Sequence, residues 1–211
     1  YSEGADEIVY IDIVSSLYQR EIVYNLIKDV SKEIFTPFAV GGGIKNLEQA
    51  KKIINNGADK IIVNTNSIIN PNLISELVSI FGSQAICVHI QAKKWKNWYE
   101  CYTDCGRNKT GIDIIDWAKE AEELGAGEII LSVIDNDGRN NGFDLHISEK
   151  LINSVTIPVV IGSGAGSLDH ILELSKLNPS GILIGSLLHY NKHSIIEIKK
   201  YLLGNNINVK L

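Results

Sequence analysis

The chain contains no methionine, only three cysteines and no long uninterrupted apolar stretch. No hydrophobic run reaches the roughly 18 residues that a membrane span requires, and no signal peptide is visible at the front, so we expect a cytoplasmic protein. An odd number of cysteines without CxxC spacing favours reduced thiols over a disulfide framework or a zinc ribbon. A metal pair at Cys101 and Cys105 is disfavoured because no second His/Cys pair lies nearby. We therefore expect neither a metal nor a cofactor.

An excess of positive charge is also lacking. The chain has 20 basic and 25 acidic residues, a formal net charge of -5, and its basic residues are interleaved with acids, as in Lys28-Asp29 and Lys119-Glu120. Binding to nucleic acid or to a membrane surface needs a basic patch, so neither partner is expected. With 211 residues, 45% of them hydrophobic, the chain is long enough for one sizeable core and short for two domains, which predicts a single domain over 1–211.

Short apolar runs alternate with amphipathic segments from end to end. Continuous Val/Ile/Leu runs separated by single helices predict a parallel sheet covered by helices. The predicted strands are 7–13, 37–40, 60–64, 85–90, 128–133, 158–161 and 181–184, and the predicted helices are 17–33, 47–56, 73–80, 112–124, 148–154, 168–177 and 194–203.

The seven strand–helix units are one fewer than a closed barrel needs. Adding a unit of roughly 35 residues brings the chain close to the ~250 residues typical of a TIM (β/α)₈ barrel. We therefore predict an α/β fold, a TIM barrel that lacks its first strand and helix. The absence of methionine points in the same direction.

Two glycine-rich turns resemble each other, and each follows a predicted strand. The first contains Gly42 and Gly43, the second Ser163 and Gly164. Each is followed some 20 residues later by a strand that ends in a small polar pair. A half-barrel of four units, duplicated and fused, produces this pattern, whereas an open Rossmann-type sheet does not place similar turns after well-separated strands.

The same turns are candidate phosphate sites. Glycines free backbone N–H groups to face an anion, and the following helix adds its positive N-terminal end. Glycine also serves tight turns, but two such turns at matching places predict a ligand with a phosphate at each end. The two predicted cradles are Gly42, Gly43, Asn64 and Thr65, and Ser163, Gly164, Gly185 and Ser186.

Acidic residues follow two of the predicted strands. Asp12 ends the first strand, and Asp135 and Asp137 lie in an Asp-Asn-Asp-Gly segment. A carboxylate at the C-terminal mouth of a barrel is suited to general acid or base catalysis. The alternative is a turn with good Asx chemistry. Between two phosphate cradles, the catalytic interpretation of Asp12 and Asp137 is favoured.

The long segment after the fourth predicted strand carries Trp95, Trp98, Tyr99 and Tyr102. A loop of about 20 residues is uncommon unless it is functional. Two interpretations stay open, a lid over the mouth and a β-hairpin that packs its own aromatic side chains.

Glu7, Lys60 and Glu128 all stand at strand beginnings. In a barrel they would converge at the N-terminal opening as a ring of alternating charge. Residues on that face usually contribute to fold stability.

Several segments together resemble one enzyme family. The segments Phe38–Ile44, Gly57–Lys60, Gly125–Ile129, Gly162–Ser167 and the tail Ile207–Leu211 are similar to the cyclase subunit of imidazole glycerol phosphate synthase. The sister isomerase of histidine synthesis shares the glycine turns but lacks the combination of 105–111 with 125–128.

The resemblance implies a partner and a reaction. In that family a glutaminase releases ammonia, which passes through the barrel and attacks a bis-phosphorylated ribulosyl-formimino aminoimidazole carboxamide ribonucleotide. The products are imidazole glycerol phosphate and aminoimidazole carboxamide ribonucleotide. The resemblance further implies that the glycine cradles bind the phosphates, that Glu7, Lys60 and Glu128 form the ammonia gate, and that Asp59 and Gln84 lie where the glutaminase docks on the N-terminal face.

One position departs from the family pattern. The two catalytic aspartates of the family end its first and fifth strands. The family's first strand is expected to be absent from this chain. Its fifth strand corresponds to the fourth predicted strand here, and the residue at the position of the second aspartate is Gln91. An amide does not exchange a proton near neutral pH, so general acid/base catalysis is lost there. His89 is expected to point to the other face of its strand.

Gln91 keeps two alternatives open. One is a paralogue that works with a glutaminase and channels ammonia to an amidotransferase of bacterial surface sugars such as lipopolysaccharide. The other is a barrel that serves only as a channel and scaffold. Neither needs the aspartate pair.

Overall fold

The computed structural model describes residues 3–13 and 23–210. Their central feature is a curved parallel sheet. In the order in which they lie side by side, its parallel strands are β1 (Ile8–Ile11), β2 (Phe38–Gly41), β3 (Lys60–Val63), β4 (Ile86–Lys94), β7 (Glu128–Val133), β8 (Val159–Gly162) and β9 (Gly181–Ile182). Every neighbouring pair in this order is parallel and in sequence order apart from one inserted hairpin, which is the strand arrangement of a TIM barrel.

Helices follow each parallel strand in the described part of the chain. They are α1 (Tyr24–Glu33), α2 (Leu47–Asn55), α3 (Thr65–Ile69), α4 (Asn72–Phe81), α5 (Ile114–Glu123), α6 (Leu145–Ile152), α7 (Leu168–Ser175), α8 (Ser186–His189) and α9 (Ile195–Gly204), with a 3₁₀ turn at Ser83–Ala85. The predicted α/β fold and the alternation of strands and helices are therefore confirmed. The predicted helix 17–33 is described only from Tyr24 onward. The expectation that the chain lacks one β/α unit stays a prediction.

Matching side-chain caps begin the helices after the two glycine turns. Asn46 accepts a hydrogen bond from the backbone N–H of Gln49 at the start of α2, and Ser167 accepts one from His170 at the start of α7. These caps satisfy N–H groups that the first helical turn leaves without partners. The two turns are alike in structure as well as in sequence, as a duplicated half-barrel requires.

The hydrophobic core has two parts. The larger one lies between the sheet and the helices and includes Trp117, Ile53, Leu77, Ile129 and Leu151, all at most 1% exposed. A smaller cluster lies on the inner face of the curved sheet and is formed by Ala39, Ile62, Cys87 and Ile130, with Val9, Ile11, Val160 and Leu183 packed against it. The inside of the barrel is thus filled by an apolar layer.

The aromatic segment after the fourth strand is a β-hairpin. The strands β5 (Tyr99–Thr103) and β6 (Asn108–Asp113) pair with each other, and β5 pairs antiparallel with the outer half of β4. This confirms the hairpin interpretation and explains why β4 extends to Lys94 instead of ending near Ile90. The Tyr99 hydroxyl donates to Asp144 at 2.8 Å, which joins the hairpin to the start of α6.

Candidate functional site at the mouth of the barrel

A pocket opens at the carboxyl ends of β1 to β4. It brings together Asp12, both glycines of the first turn, Asn64, Thr65, His89 and Gln91, and the Cys105 thiol reaches it from the hairpin. Asp12 is 5% exposed, and its backbone N–H donates to the carbonyl of Gly41. The first predicted cradle and two of the predicted catalytic positions therefore share one concave site.

Backbone packing explains part of the first glycine turn. Gly42 has φ +104°, and a Cβ atom there would fall against the backbone of Asp12. Only glycine accepts both the conformation and the contact. Gly43, with φ +67°, is the second residue of the turn in the left-handed region.

An amide pair sits inside the pocket. The side-chain Nδ2 of Asn64 donates to Oε1 of Gln91 at 3.1 Å. The Gln91 amide also carries two N–H donors. Among the residues that the structure describes, the buried Oδ1 of Asn64 has no hydrogen-bond partner. The pair can hold and polarise a ligand but cannot exchange a proton with it.

His89 corrects an error in the sequence prediction. It was expected to point to the face of β4 opposite Gln91, but both residues line the same pocket. Side chains two positions apart on a strand share a face, so the expectation had the parity wrong. The ring is 7% exposed, and its Nε2 lies 3.0 Å from Oγ of Ser132 on the neighbouring strand β7. Burial lowers the pKa of His89 to about 4, so the imidazole is neutral at pH 7.

The second glycine turn lies against the loop that follows β7. A Cβ atom on Gly164, whose φ is +114°, would fall against the carbonyl of Gly142. Ser163 also has a positive φ, +68°. The Ser186 hydroxyl lies 3.2 Å from Oδ1 of Asn140, which belongs to the same loop. Both halves of the second cradle therefore contact the loop at 140–142, and packing explains part of their geometry.

Gly185 differs from the other glycines of the cradles. Its φ is -118°, and a Cβ atom added there would meet nothing within 4 Å. Neither backbone conformation nor packing requires glycine at this position. Packing therefore does not explain why position 185 of the second cradle is a glycine.

The acids after β7 do not join the pocket. Asp137 is exposed in the turn that follows the strand. Asp135 accepts a hydrogen bond from the backbone N–H of Lys94 at 2.8 Å and so holds the base of the hairpin. For this segment the turn interpretation describes the geometry, and a catalytic role for Asp137 stays a prediction.

A charged cluster closes the opposite end of the barrel. The Lys60 ammonium lies 2.7 Å from a carboxylate oxygen of Glu7 and 2.8 Å from one of Glu128. Burial raises the pKa of Glu7 despite its pairing with Lys60. Burial alone would lower the pKa of Lys60, but the hydrogen bonds that Lys60 donates to Glu128 and Glu7 outweigh burial, and the pKa is raised. The three predicted side chains do converge at the N-terminal opening.

The docking candidates on this face differ from each other. Gln84 is exposed at the 3₁₀ turn before β4. Asp59 is also exposed, but its Oδ2 accepts the backbone N–H of Phe38 at 2.9 Å and so anchors the start of β2. Sequence reasoning missed this structural role of Asp59.

Comparison with known proteins places the chain in a family. Residues 1–194 match the family described as "Histidine biosynthesis protein". The chain belongs to this family. A relative from Pyrococcus furiosus named "Imidazole glycerol phosphate synthase subunit HisF" is 43% identical over 210 residues, covering 100% of this chain and 84% of the relative. Proteins of the same name from Thermococcus onnurineus and Methanocaldococcus jannaschii are 43% and 40% identical, cover 99% of the chain, and are themselves covered to 83% and 85%.

Two other features are absent from the part of the chain that the structure describes. In residues 3–13 and 23–210, no helix is long and apolar enough to cross a membrane. The same residues hold no group of three or more His, Cys, Asp or Glu side chains that could bind a metal ion.

Proposed function

We propose that this protein is the cyclase subunit of an imidazole glycerol phosphate synthase in histidine biosynthesis, a cytoplasmic enzyme that uses ammonia from a glutaminase partner. The main support for this proposal is the sequence identity of 40–43% to relatives of that name over 99–100% of the chain. The substrate is a bis-phosphorylated ribulosyl-formimino aminoimidazole carboxamide ribonucleotide, and the products are imidazole glycerol phosphate and aminoimidazole carboxamide ribonucleotide.

The two glycine cradles would hold the two phosphates. Both lie at the carboxyl ends of parallel strands, where barrel enzymes bind their ligands. The backbone N–H groups of Gly43 and Gly164 and the hydroxyls of Thr65 and Ser186 supply donors without charge. A substrate anchored at both ends would span the mouth and place its reactive carbon above the lumen.

Ammonia would enter through the charged cluster of Glu7, Lys60 and Glu128. Directly above it lies the apolar cluster that contains Ile62, Cys87 and Ile130. Ile62 and Ile130 stand two positions after Lys60 and Glu128, respectively. Cys87 is paired with Ile62 on one side and with Glu128 on the other in the strand register. An apolar layer favours neutral ammonia over ammonium, because a charge loses its hydration there.

A second function is favoured by one observation. Gln91 occupies the position of the expected catalytic aspartate, so a conduit that delivers ammonia to an amidotransferase of surface-sugar synthesis would explain the substitution without a cyclase reaction. The gate and docking face would serve that function equally well. In this second proposal the mouth binds no histidine precursor.

Product analysis separates the two functions. The protein is incubated with the bis-phosphorylated substrate and ammonium chloride, and both products are followed by chromatography. We expect slow formation of imidazole glycerol phosphate and aminoimidazole carboxamide ribonucleotide in equal amounts. Complete absence of both would reject the cyclase proposal and favour the conduit.

A further inference from the structure

His89 is an unexpected polar group inside the barrel. It stands on β4 between Cys87, which belongs to the apolar cluster, and Gln91 at the mouth. Successive inward residues of a strand are about 6.6 Å apart, so a ligand in the pocket that touches Gln91 is also close to the imidazole. Ammonia that leaves the apolar layer would meet His89 first.

The geometry leaves one nitrogen of the ring available. Nε2 is engaged with the Ser132 hydroxyl at 3.0 Å. Among the hydrogen bonds of the described residues, Nδ1 has no partner. In the tautomer in which Nε2–H donates to the Ser132 hydroxyl, Nδ1 carries a lone pair, and the proposal uses this tautomer. This is the arrangement of a base whose orientation is set by a second group.

We propose that His89 is the proton-transfer residue of this pocket and performs the task that Gln91 cannot. The inference rests on the proposed cyclase function. It assigns a catalytic role to a residue outside the aspartate pair that the resemblance implies.

The step moves two protons from nitrogen to oxygen. The nitrogen lone pair of ammonia attacks the ketone carbon of the ribulosyl chain, a C–N bond forms, and the C=O π electrons move to the oxygen. Nδ1 of His89 takes one proton from the attached NH₃⁺ group and returns it to the alkoxide oxygen, which gives a neutral carbinolamine. The nitrogen lone pair then expels the hydroxyl as the C–O bond breaks, and Nδ1 carries one proton from the iminium nitrogen to the departing oxygen, so that water leaves and the imine remains. The net change is ammonia plus ketone to imine plus water, with His89 unchanged.

The surroundings of His89 keep it neutral before the substrate binds. Burial beside the apolar layer lowers the pKa of His89, so the free imidazole is unprotonated at neutral pH. The two phosphates add negative charge, which raises its affinity for a proton once the substrate is bound. The titratable groups that face this region are Asp12 and Cys105 in the pocket, Cys87 on the same strand, and Glu7, Lys60 and Glu128 at the closed end.

The test uses steady-state assays with ammonium chloride, so that no glutaminase is needed. The concentration of free ammonia is held constant across the pH range. His89→Gln keeps a hydrogen-bonding side chain but does not titrate. His146→Gln is the matched control, because His146 is exposed on α6. We expect His89→Gln to lower kcat by at least about 100-fold with little change in KM, and the control to match the wild type.

Two further variants keep the test decisive. His89→Gln combined with Gln91→Asp should regain activity, because a carboxylate then occupies the same pocket. Ser132→Ala removes the orienting group but keeps the imidazole, so it should lower kcat less and shift the acidic limb of the pH profile. This second variant answers the question even if His89→Gln does not fold.

The outcomes separate the inference from the proposed function. One outcome is that the wild type forms product while His89→Gln keeps the same kcat and the same acidic limb of the pH–rate profile. In that case His89 only fills space in the interior, and the inference is wrong. If neither the wild type nor Gln91→Asp turns over, the cyclase function itself fails, and the inference fails with it.

Discussion

At the scale of single residues, His89 gives the folded protein a specific pH dependence. Its pKa is about 4 in the folded chain, against an ordinary value of 6.5. The unfolded chain therefore binds this proton first, and stability is full above pH 6.5 and falls as the pH drops towards 4. The difference corresponds to about 3 kcal/mol of unfolding free energy once the pH is below both values.

Urea unfolding at pH 7 and pH 4.5 measures this effect. Carboxylates titrate over part of the same range, so the informative quantity is the difference between the wild type and His89→Gln. We expect the wild type to lose more stability than the variant on acidification. Equal losses would show that the imidazole does not stay neutral inside the barrel.

Gly185 offers a clean test of the second phosphate cradle. Because a side chain there meets nothing within 4 Å, Gly185→Ala and Gly185→Asp should both fold. The carboxylate of Gly185→Asp would repel an anion at the start of α8, whereas Gly185→Ala adds no charge. Titration with inorganic phosphate, followed by NMR at the Ser186 amide, should show at least about tenfold weaker binding for Gly185→Asp, a change of roughly 1.4 kcal/mol.

The alanine variant is the control for this measurement. Gly164→Asp is less informative, because a side chain there also strikes the carbonyl of Gly142. Phosphate affinities that are the same in the wild type and in both Gly185 variants would remove Gly185 from the site.

At the scale of elements, Glu100 holds the hairpin of β5 and β6 together. It is 4% exposed, and its carboxylate accepts the indole Nε1–H of Trp95 at 2.7 Å and the backbone N–H of Gly111 at 2.8 Å. Glu100→Ala removes the acceptor of both of these part-buried hydrogen bonds. We expect a loss of about 1–3 kcal/mol, concentrated in the hairpin.

Hydrogen exchange of the hairpin amides measures that loss. Faster exchange over 99–113, with little change in β7 and β8, is the expected result. Lys96→Ala, at an exposed position in the turn between β4 and β5, is a suitable control. Uniform faster exchange through the whole sheet would mean that the hairpin does not open separately.

The elements also show what the sequence could predict. The strand over 128–133 was predicted to the residue, because a continuous run of buried apolar residues ends at an Asp-rich turn. The end of β4 was not, because the residues after Ile90 lose the apolar pattern and are kept extended by pairing with β5. Pairing between distant segments is invisible to local patterns.

Within the site, the sequence predicted which residues lie together where a glycine turn or a charged residue stands at either end of a strand. The convergence of Glu7, Lys60 and Glu128 followed from their positions at strand beginnings. The side chain of His89 was assigned to the wrong face, although its two-residue spacing from Gln91 was sufficient to place it inside the barrel. The contact between Asn64 and Gln91 joins neighbouring strands at a register that only the fold supplies.

At the scale of the whole molecule, the N-terminal face should bind the glutaminase. Gln84 is exposed there and bonds only weakly to its own turn, with Nε2 3.5 Å from the carbonyl of Phe81. Gln84→Arg should therefore weaken association without unfolding the barrel. It is preferable to charge reversal at Asp59, which would also remove the hydrogen bond to Phe38.

Co-purification with a tagged glutaminase checks this orientation. Lys96→Glu, near the mouth, serves as the control and should leave the complex intact. A complex that survives Gln84→Arg but is lost in Lys96→Glu would mean that the partner binds the opposite end of the barrel.

We propose that this barrel is a cyclase whose turnover is limited by Gln91. The most direct test compares the turnover of the wild-type protein with that of Gln91→Asp, using the bis-phosphorylated substrate and free ammonia. We expect a wild-type turnover below the ~1–10 s⁻¹ of ordinary enzymes and an increase of at least about tenfold when the carboxylate is restored. The account is contradicted if Gln91→Asp yields no more imidazole glycerol phosphate than the wild type.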